Sequence, residues 1–324
     1  LTSAPRRALI CGISGQDGAY LAELLLGKGY AVTGTSRDVQ ADSGRNLARL
    51  GILDRVRLES MAMQDPGSVR DVLQATLPDE IYNLSGQSSV GLSFELPAQT
   101  LDSIVTATVN LLEAIRVLGR PVRFFSAGSG ECFGETGPGG AAEGDPLQPR
   151  SPYAVAKAAA YWLVANYREA YGLHASTGIL FNHESPLRPA RFVTRKIIAA
   201  ACRIARGSGE KLTLGNLGIR RDWGWAPDYV EAMWRMLQPD TPSDFVIATG
   251  EANSLEDFVH EVFAELGLDW RQHTEVSRSL YRPTDIAECR GNPGRIGSVL
   301  GWQPHHRMRD VIRAMIRAEL DGAT

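Results

Sequence analysis

Tyr153 and Lys157 stand four residues apart in the run Ser151-Pro-Tyr-Ala-Val-Ala-Lys157. On a helix that spacing puts both on one face. An ammonium group beside a phenol favours the phenolate and lowers its pKa. Tyr153 could therefore move a proton on or off a sugar or alcohol hydroxyl while a hydride leaves the carbon. With 9 tyrosines and only Lys28, Lys157, Lys196 and Lys211 in the chain, about 0.1 such pairs are expected by chance. An exposed lysine on an amphipathic helix is the plainer alternative, and it gives way only if a nucleotide site lies upstream. Just before the pair, Arg123 to Ser129 reads as a strand. It would deliver Ser129 and Glu131 at its carboxyl end, where open α/β sheets bind ligands.

The elements that must position these groups begin at the amino terminus. Ala8 to Cys11 is a short apolar run, followed by Gly12-Ile-Ser-Gly-Gln-Asp-Gly18 and a helical pattern through Tyr20, Leu21, Leu24 and Leu25. Strand, glycine turn and helix start form the context of a dinucleotide fingerprint. Gly12, Gly15 and Gly18 would let backbone amides approach a pyrophosphate, with Gln16 and Asp17 in the same turn. The second strand, Ala31 to Thr35, ends in Ser36-Arg37-Asp38. Arg37 suits a 2′-phosphate and points to NADP, whereas Asp38 beside it leaves NAD open, and a solvated turn is the bland reading. The strand from Glu80 runs into Leu84, Ser85, Gly86, Gln87 and Ser88, small polar residues suited to the ribose of a nicotinamide.

Further strands at Val56–Leu58 and His174–Asn182 alternate with helices at Gly67–Leu77, Asp102–Leu118 and Tyr153 to about Tyr171. That alternation predicts an α/β fold, a right-handed, doubly wound parallel Rossmann sheet over residues 1–182. Beyond Asn182 it weakens. Helices at Phe192–Arg206, Pro227–Leu237 and Met308–Leu320 and strands at Lys211–Leu214 and Phe245–Thr249 cannot all extend one sheet. Residues 183–324 are expected to build mainly a smaller, discontinuous mixed α/β substrate lobe, with 225–250 returning to the Rossmann domain. The lobe is rich in cations: Arg188, Arg191, Arg195, Lys196, Arg220, Arg221 and Arg282. Two or three such groups in a dry cleft hold a diphosphate, although any single one is more often a solvated surface residue. Gly134 to Pro146, rich in Gly and Pro, reads as a mobile loop that could shield the site, or equally as a plain connector.

Composition limits the alternatives. A hydrophobic share of 44% with 22% charged residues is ordinary for a globular chain of 324 residues. The net charge of -3 gives no reason to expect nucleic acid or an anionic membrane. Cys11, Cys132, Cys202 and Cys289 show neither CxxC nor any metal-ligand spacing, so they read as reduced thiols of a cytoplasmic protein. No apolar run approaches a membrane span.

At this point the residues match a known pattern. The chain resembles the extended short-chain dehydrogenase/reductases (NAD-dependent epimerase/dehydratases) and, among them, the GDP-mannose 4,6-dehydratase family. The likeness covers nearly the whole chain. It is carried by Gly12-Ile-Ser-Gly-Gln-Asp-Gly-Ala-Tyr-Leu21, Ser151–Lys157, Val164-Ala-Asn-Tyr-Arg-Glu169 and Gly178-Ile-Leu-Phe-Asn-His-Glu-Ser-Pro186. Phe192-Val-Thr-Arg-Lys196, Arg221-Asp-Trp-Gly224 and Asp228-Tyr-Val-Glu-Ala-Met-Trp234 complete it.

The resemblance implies an internal redox cycle on a GDP-sugar with NADP. Tyr153 takes the 4-hydroxyl proton, Ser129 hydrogen-bonds the 4-oxygen, Lys157 holds the nicotinamide ribose, and Glu131 removes the C5 proton as water leaves from C6. It also implies cofactor positions at Leu84, Ser85, Gln87, His183 and Arg188. Substrate positions fall at Ser88, Asn182, Val193, Lys196, Leu214, Gly215, Arg221 and Arg282. A homodimer or homotetramer is expected, the Asp102–Leu118 helix having the length to pair with a neighbouring subunit. The chain departs from the family in Gly128-Ser-Gly-Glu-Cys-Phe133, in Met61-Ala-Met63 where an Asp is usual, and in Asp285 for Glu. A nucleotide-sugar 4-epimerase or 4-ketoreductase on the same fold is the nearest rival, and it needs no base such as Glu131. A non-catalytic NADP-binding regulator is a more distant one.

Overall fold

A computed structural model describes residues 4–39 and 44–322. The first half alternates strands β1 (Arg7–Cys11), β2 (Ala31–Ser36), β3 (Arg57–Ser60), β4 (Glu80–Asn83), β5 (Arg123–Ala127) and β6 (His174–Leu180) with helices. The helices are α1 (Gln16–Gly27), α2 (Arg45–Arg49), α3 (Pro66–Thr76), α4 (Val90–Glu95), α5 (Pro97–Leu101), α6 (Ala107–Val117) and α7 (Pro152–Tyr171). The second half is built of shorter strands: β7 (Asn182–Glu184), β8 (Leu212–Leu214), β9 (Arg220–Arg221), β10 (Trp223–Trp225), β11 (Phe245–Ile247), β12 (Asn253–Ser254), β13 (Thr274–Val276) and β14 (Glu288–Cys289). Its helices are α8 (Val193–Ala205), α9 (Ala226–Met236), α10 (Leu255–Glu265), α11 (Gly294–Leu300) and α12 (Met308–Leu320).

Seven strands make one parallel sheet in the order β11-β6-β5-β4-β1-β2-β3. The order reverses between β1 and β4, so the loops after these two strands open a crevice at their carboxyl ends. Apolar side chains cover both faces: Leu21, Leu25, Tyr229 and Met233 pack on one, Leu73, Leu111, Phe124 and Val164 on the other. A separate core under α8, α10 and α12 (Ile198, Phe258, Val262, Ile312) supports the lobe, whose strands form only two- and three-stranded sheets. Residues 225–250 come back to the large sheet: α9 packs on α1, and β11 pairs with β6.

Local chemistry explains the element ends. Ser151 caps α7 through Oγ, which accepts from the Ala154 amide at 3.1 Å, Pro152 opens the first turn, and Gly172 closes the helix in the left-handed region at φ 66°. Ser254 and Asp257 form a full capping box on α10.

Two expectations change. The helix over 102–118 is not uniform: Asp102–Thr106 is a π-helical turn before α6. The segment after Glu131 is not free. Its backbone bonds to the lobe through Thr136, Ala141 and Asn292, Gln148 N donates to the Cys132 carbonyl at 2.8 Å, and the Glu143 carboxylate accepts from Val246 N at 2.8 Å. Residues 134–150 are a strap stitched down by backbone groups, which composition alone does not reveal. Among the described residues, no helix is long and apolar enough to cross a membrane.

Candidate active site

The glycine turn after β1 divides its labour. Gly12 has φ +84°, and a Cβ there would meet the Leu84 carbonyl oxygen at 2.9 Å. A Cβ on Gly18 would strike the Gly12 oxygen at 2.4 Å, so this glycine lets helix and turn touch. Gly15 differs: a Cβ would meet only the Gly12 oxygen, at 3.3 Å. α1 starts at Gly15 without a side-chain cap, which leaves its amino-terminal partial charge for an anion. Beside it Ile13, Ser14, Ser36, Val39, Gly44, Leu47 and Leu58 line a small apolar slot. Exposed Arg37 stands at the tip of β2, and Arg45 opens α2 beside this slot. Sequence reasoning does not single out Arg45; the left-handed Gly44 before it is the only local signal. These residues fit a dinucleotide.

Behind α1, the carboxylate of Asp17 meets His183 Nε2 at 2.9 Å, and His183 Nδ1 bonds the Phe181 carbonyl at 2.7 Å. Gln16 joins the same seam through the His183 carbonyl and the Ser185 hydroxyl. Burial opposes both charges. Even so, His183 holds Asp17 below the ordinary carboxylate range, with help from Gln16 and Arg188, and Asp17 holds His183 above the ordinary imidazole value. Arg188 stacks on Phe192 at 3.7 Å and reaches Glu184 at 3.1 Å.

In the crevice, Ser129 lies two residues past β5 and its hydroxyl accepts from Glu131 N at 3.3 Å, starting the 3-10 turn Gly130–Phe133. Tyr153 and Lys157 face it from α7, both buried. Lys157 Nζ donates to the Ala127 carbonyl at 2.8 Å and lies 5.9 Å from the centroid of the Tyr153 ring. The expected lowering of the phenol pKa is not found. Burial pushes Tyr153 well above its ordinary value, opposed mainly by the Ser129 hydrogen bond, and Lys157 does not offset it. Burial also lowers Lys157 to about 8. Cys132, beside them, is driven up to about 12 by burial and is inert at neutral pH. Gly130 is closely packed: a Cβ would meet the Phe181 ring at 2.8 Å, so the ring would have to shift.

The other predicted positions divide. Asn182 is paired through β7 with Trp223 of β10 in a separate two-stranded sheet. Leu84 N donates to the Cys11 carbonyl at 3.0 Å, and Ser85 Oγ bonds Asn83. Gln87 turns its amide to Ser89 and Thr100, so its side chain holds the loop together, while Ser88 is exposed. In the lobe, Val193 starts α8, and Lys196, exposed, donates to the Thr213 carbonyl at 2.7 Å. The Leu214 side chain is buried in the lobe core, so only its backbone and Gly215 can face a ligand. Arg195 is a buried partner of Glu319, not a cleft residue. Arg282 lies 4.0 Å from Asp285 and keeps 37% of its side chain exposed. Arg221, by contrast, is buried beneath Asp285 and close to Glu131. Met61 and Met63 are core residues under the sheet.

This constellation can exchange a proton with a hydroxyl at Tyr153 and with a carbon acid at Glu131, next to a dinucleotide crevice. Similarity to known proteins spans the same elements. The sequence profile of the family described as "GDP-mannose 4,6 dehydratase" matches residues 9–315. The chain is 44% identical to GDP-mannose 4,6 dehydratase 2 of Arabidopsis thaliana, over 98% of this chain and 88% of that one. Its fold superposes on UDP-glucose 4-epimerase of Thermus thermophilus with a TM-score of 0.85 at 24% identity, covering 97% and 99% of the two chains. The same TM-score, 0.85, relates it to dTDP-glucose 4,6-dehydratase of Bacillus anthracis at 18% identity, covering 98% and 97%. One fold thus carries an epimerase and a dehydratase alike, and cannot choose between them.

Proposed function

The chain belongs to the GDP-mannose 4,6-dehydratase family, and on that footing we propose that it converts GDP-mannose to the 4-keto-6-deoxy sugar with NADP as an internal hydride carrier. The carrying observation is Glu131: a carboxylate on the same turn as Ser129 and close enough to Tyr153 to act on its ionisation. Oxidation and reduction at C4 need no such group, whereas elimination across C5 and C6 does.

When bound, the nicotinamide would supply the hydride acceptor for C4 in its oxidised form and, once reduced, the donor for C6. Tyr153 accepts the 4-hydroxyl proton as the C4–H bond breaks, and the Ser129 hydroxyl holds the 4-oxygen. The ketone so formed acidifies the C5 proton. Glu131 takes that proton and returns it to the departing C6 oxygen as the C6–O bond breaks, so water leaves and a double bond remains between C5 and C6. Hydride addition at C6 and protonation at C5 then restore a saturated sugar. The net change is loss of one water, with the cofactor returned to its starting state. Lys157 keeps a cation near the phenolate, and Lys196 and Arg282 hold the nucleotide diphosphate.

The protein is proposed to work as a homodimer or larger even assembly. Val155 and Trp162, seven apart on α7, are 46% and 61% exposed, an apolar stripe suited to the same helix of a second copy.

Incubation with GDP-mannose and catalytic NADP⁺ in D₂O tests the activity by mass spectrometry. Loss of one water with one deuterium gained at C5 is expected. A new isomer of unchanged mass would replace dehydration by 4-epimerisation.

A further inference from the structure

His183 meets an acceptor at each ring nitrogen. Nδ1 is 2.7 Å from the Phe181 carbonyl oxygen, and Nε2 is 2.9 Å from the Asp17 carboxylate. A carbonyl and an ionised carboxylate only accept, whereas a neutral imidazole has a single N–H to offer. In either tautomer, a neutral ring beside a carboxylate would turn a lone pair toward an oxygen. The geometry is satisfied when the pair holds one more proton, as imidazolium beside carboxylate, and is then neutral overall. Gln16 completes the arrangement by donating from Nε2 to Asp17 Oδ1 at 3.0 Å.

The groups around the pair come from four directions, and the two members titrate as a unit. From the same segment as His183, Arg188 brings a cation that is itself paired with Glu184 at 3.1 Å. From α9, the Tyr229 ring stacks on the imidazole with centroids 4.5 Å apart, and burial keeps its phenol protonated. From α7, Lys157 lies within electrostatic reach of Asp17. From β10, uncharged Gly224 stands opposite His183. His183 keeps 8% of its side chain exposed and Asp17 keeps 21%, so the pair meets solvent mainly through the carboxylate.

That carboxylate stands in the first turn of α1, the helix whose uncapped amino terminus is offered to the diphosphate of the coenzyme. An acid placed there repels the anion that the helix end attracts, unless its charge is balanced. We infer that Asp17 and His183 link coenzyme binding to proton retention: the dinucleotide binds tightly while the pair holds its shared proton, and loosens once that proton leaves for solvent. Deprotonation sets a bare carboxylate beside two phosphates, and bound coenzyme in turn holds the proton to higher pH. This rests on the dinucleotide reading of the glycine turn and not on which sugar is converted.

The test is calorimetric titration of the full chain, freed of coenzyme, with NADP⁺ and NAD⁺ from about pH 6 to about pH 9, in two buffers of different ionisation enthalpy that count protons. NAD⁺ is included because it lacks the 2′-phosphate, a group that itself titrates at about pH 6. Affinity of the unaltered protein should fall by up to about tenfold per pH unit above the raised imidazole value, with proton uptake on binding approaching one. His183→Gln offers Asp17 a donor that does not titrate. It should bind NAD⁺ about tenfold more weakly near pH 6, and the gap should close toward about pH 9. Lys157 titrates in both proteins, so the difference between them belongs to the pair. Asp17→Asn removes the carboxylate charge and serves if the Gln variant does not fold; its proton uptake should fall below that of the unaltered protein. Equal proton uptake and parallel affinity profiles in the unaltered protein and the variants would overturn the inference. If neither coenzyme binds at any pH, the dinucleotide reading falls and takes this inference with it.

Discussion

At the scale of single residues, the site is a set of groups whose burial sets their protonation. Tyr153 is held protonated by burial, so its work as a base depends on cations gathered beside it. Tyr153→Phe removes the proton carrier without changing the fold of α7. Turnover should drop by about 10²–10⁴-fold, with NADP⁺ affinity from equilibrium dialysis within a few-fold of the parent; retained turnover would disqualify Tyr153. Lys157, lowered to about 8, is charged below that pH and neutral above it. The free-enzyme profile of kcat/KM should therefore decline above about pH 8, and a profile flat to about pH 10 would show that the ammonium is not needed.

At the scale of elements, the seam between α1 and the chain after β6 carries its own pH dependence. The raised His183 contributes stability that is full below the ordinary imidazole value of about 6.5 and is lost as pH rises through the raised one. The lowered Asp17 contributes stability that is present above about 3.8 and is lost as pH falls through the lowered value. Both act together between those limits. His183→Gln should cost about 1.5–3 kcal/mol near pH 6 and less near pH 9, measured by denaturant unfolding; an equal loss at both values would contradict the ion pair. Elements are also the scale at which sequence reading succeeds and fails. Gly12, Gly15 and Gly18 are legible because each sits where a Cβ would do something different, and Tyr153–Lys157 because helical spacing is local. The burial of Arg221, the turn of Gln87 into its own loop and the stitched strap are not legible. Each depends on partners 13 to about 150 residues away, which no local pattern encodes.

At the scale of the whole molecule, the apolar stripe on α7 is the surface to test. If the proposed dimer pairs through this stripe, Trp162→Glu should lower the mass read by light scattering at matched concentration to that of a monomer, with the circular dichroism of the parent; an unchanged mass would contradict that pairing. The order in which the sheet is completed has another consequence. β6 is finished by Leu180, but its outer neighbour β11 is made only at Phe245–Ile247, after about half the lobe has been synthesised. Until then a strand buried in the finished fold presents an unpaired backbone edge, the kind that other chains recognise. On the ribosome, Phe245–Ile247 must emerge before the seven-stranded sheet is complete. A chain that ends between Asn182 and Phe245 would leave that edge unpaired, the kind of surface through which incompletely folded chains associate.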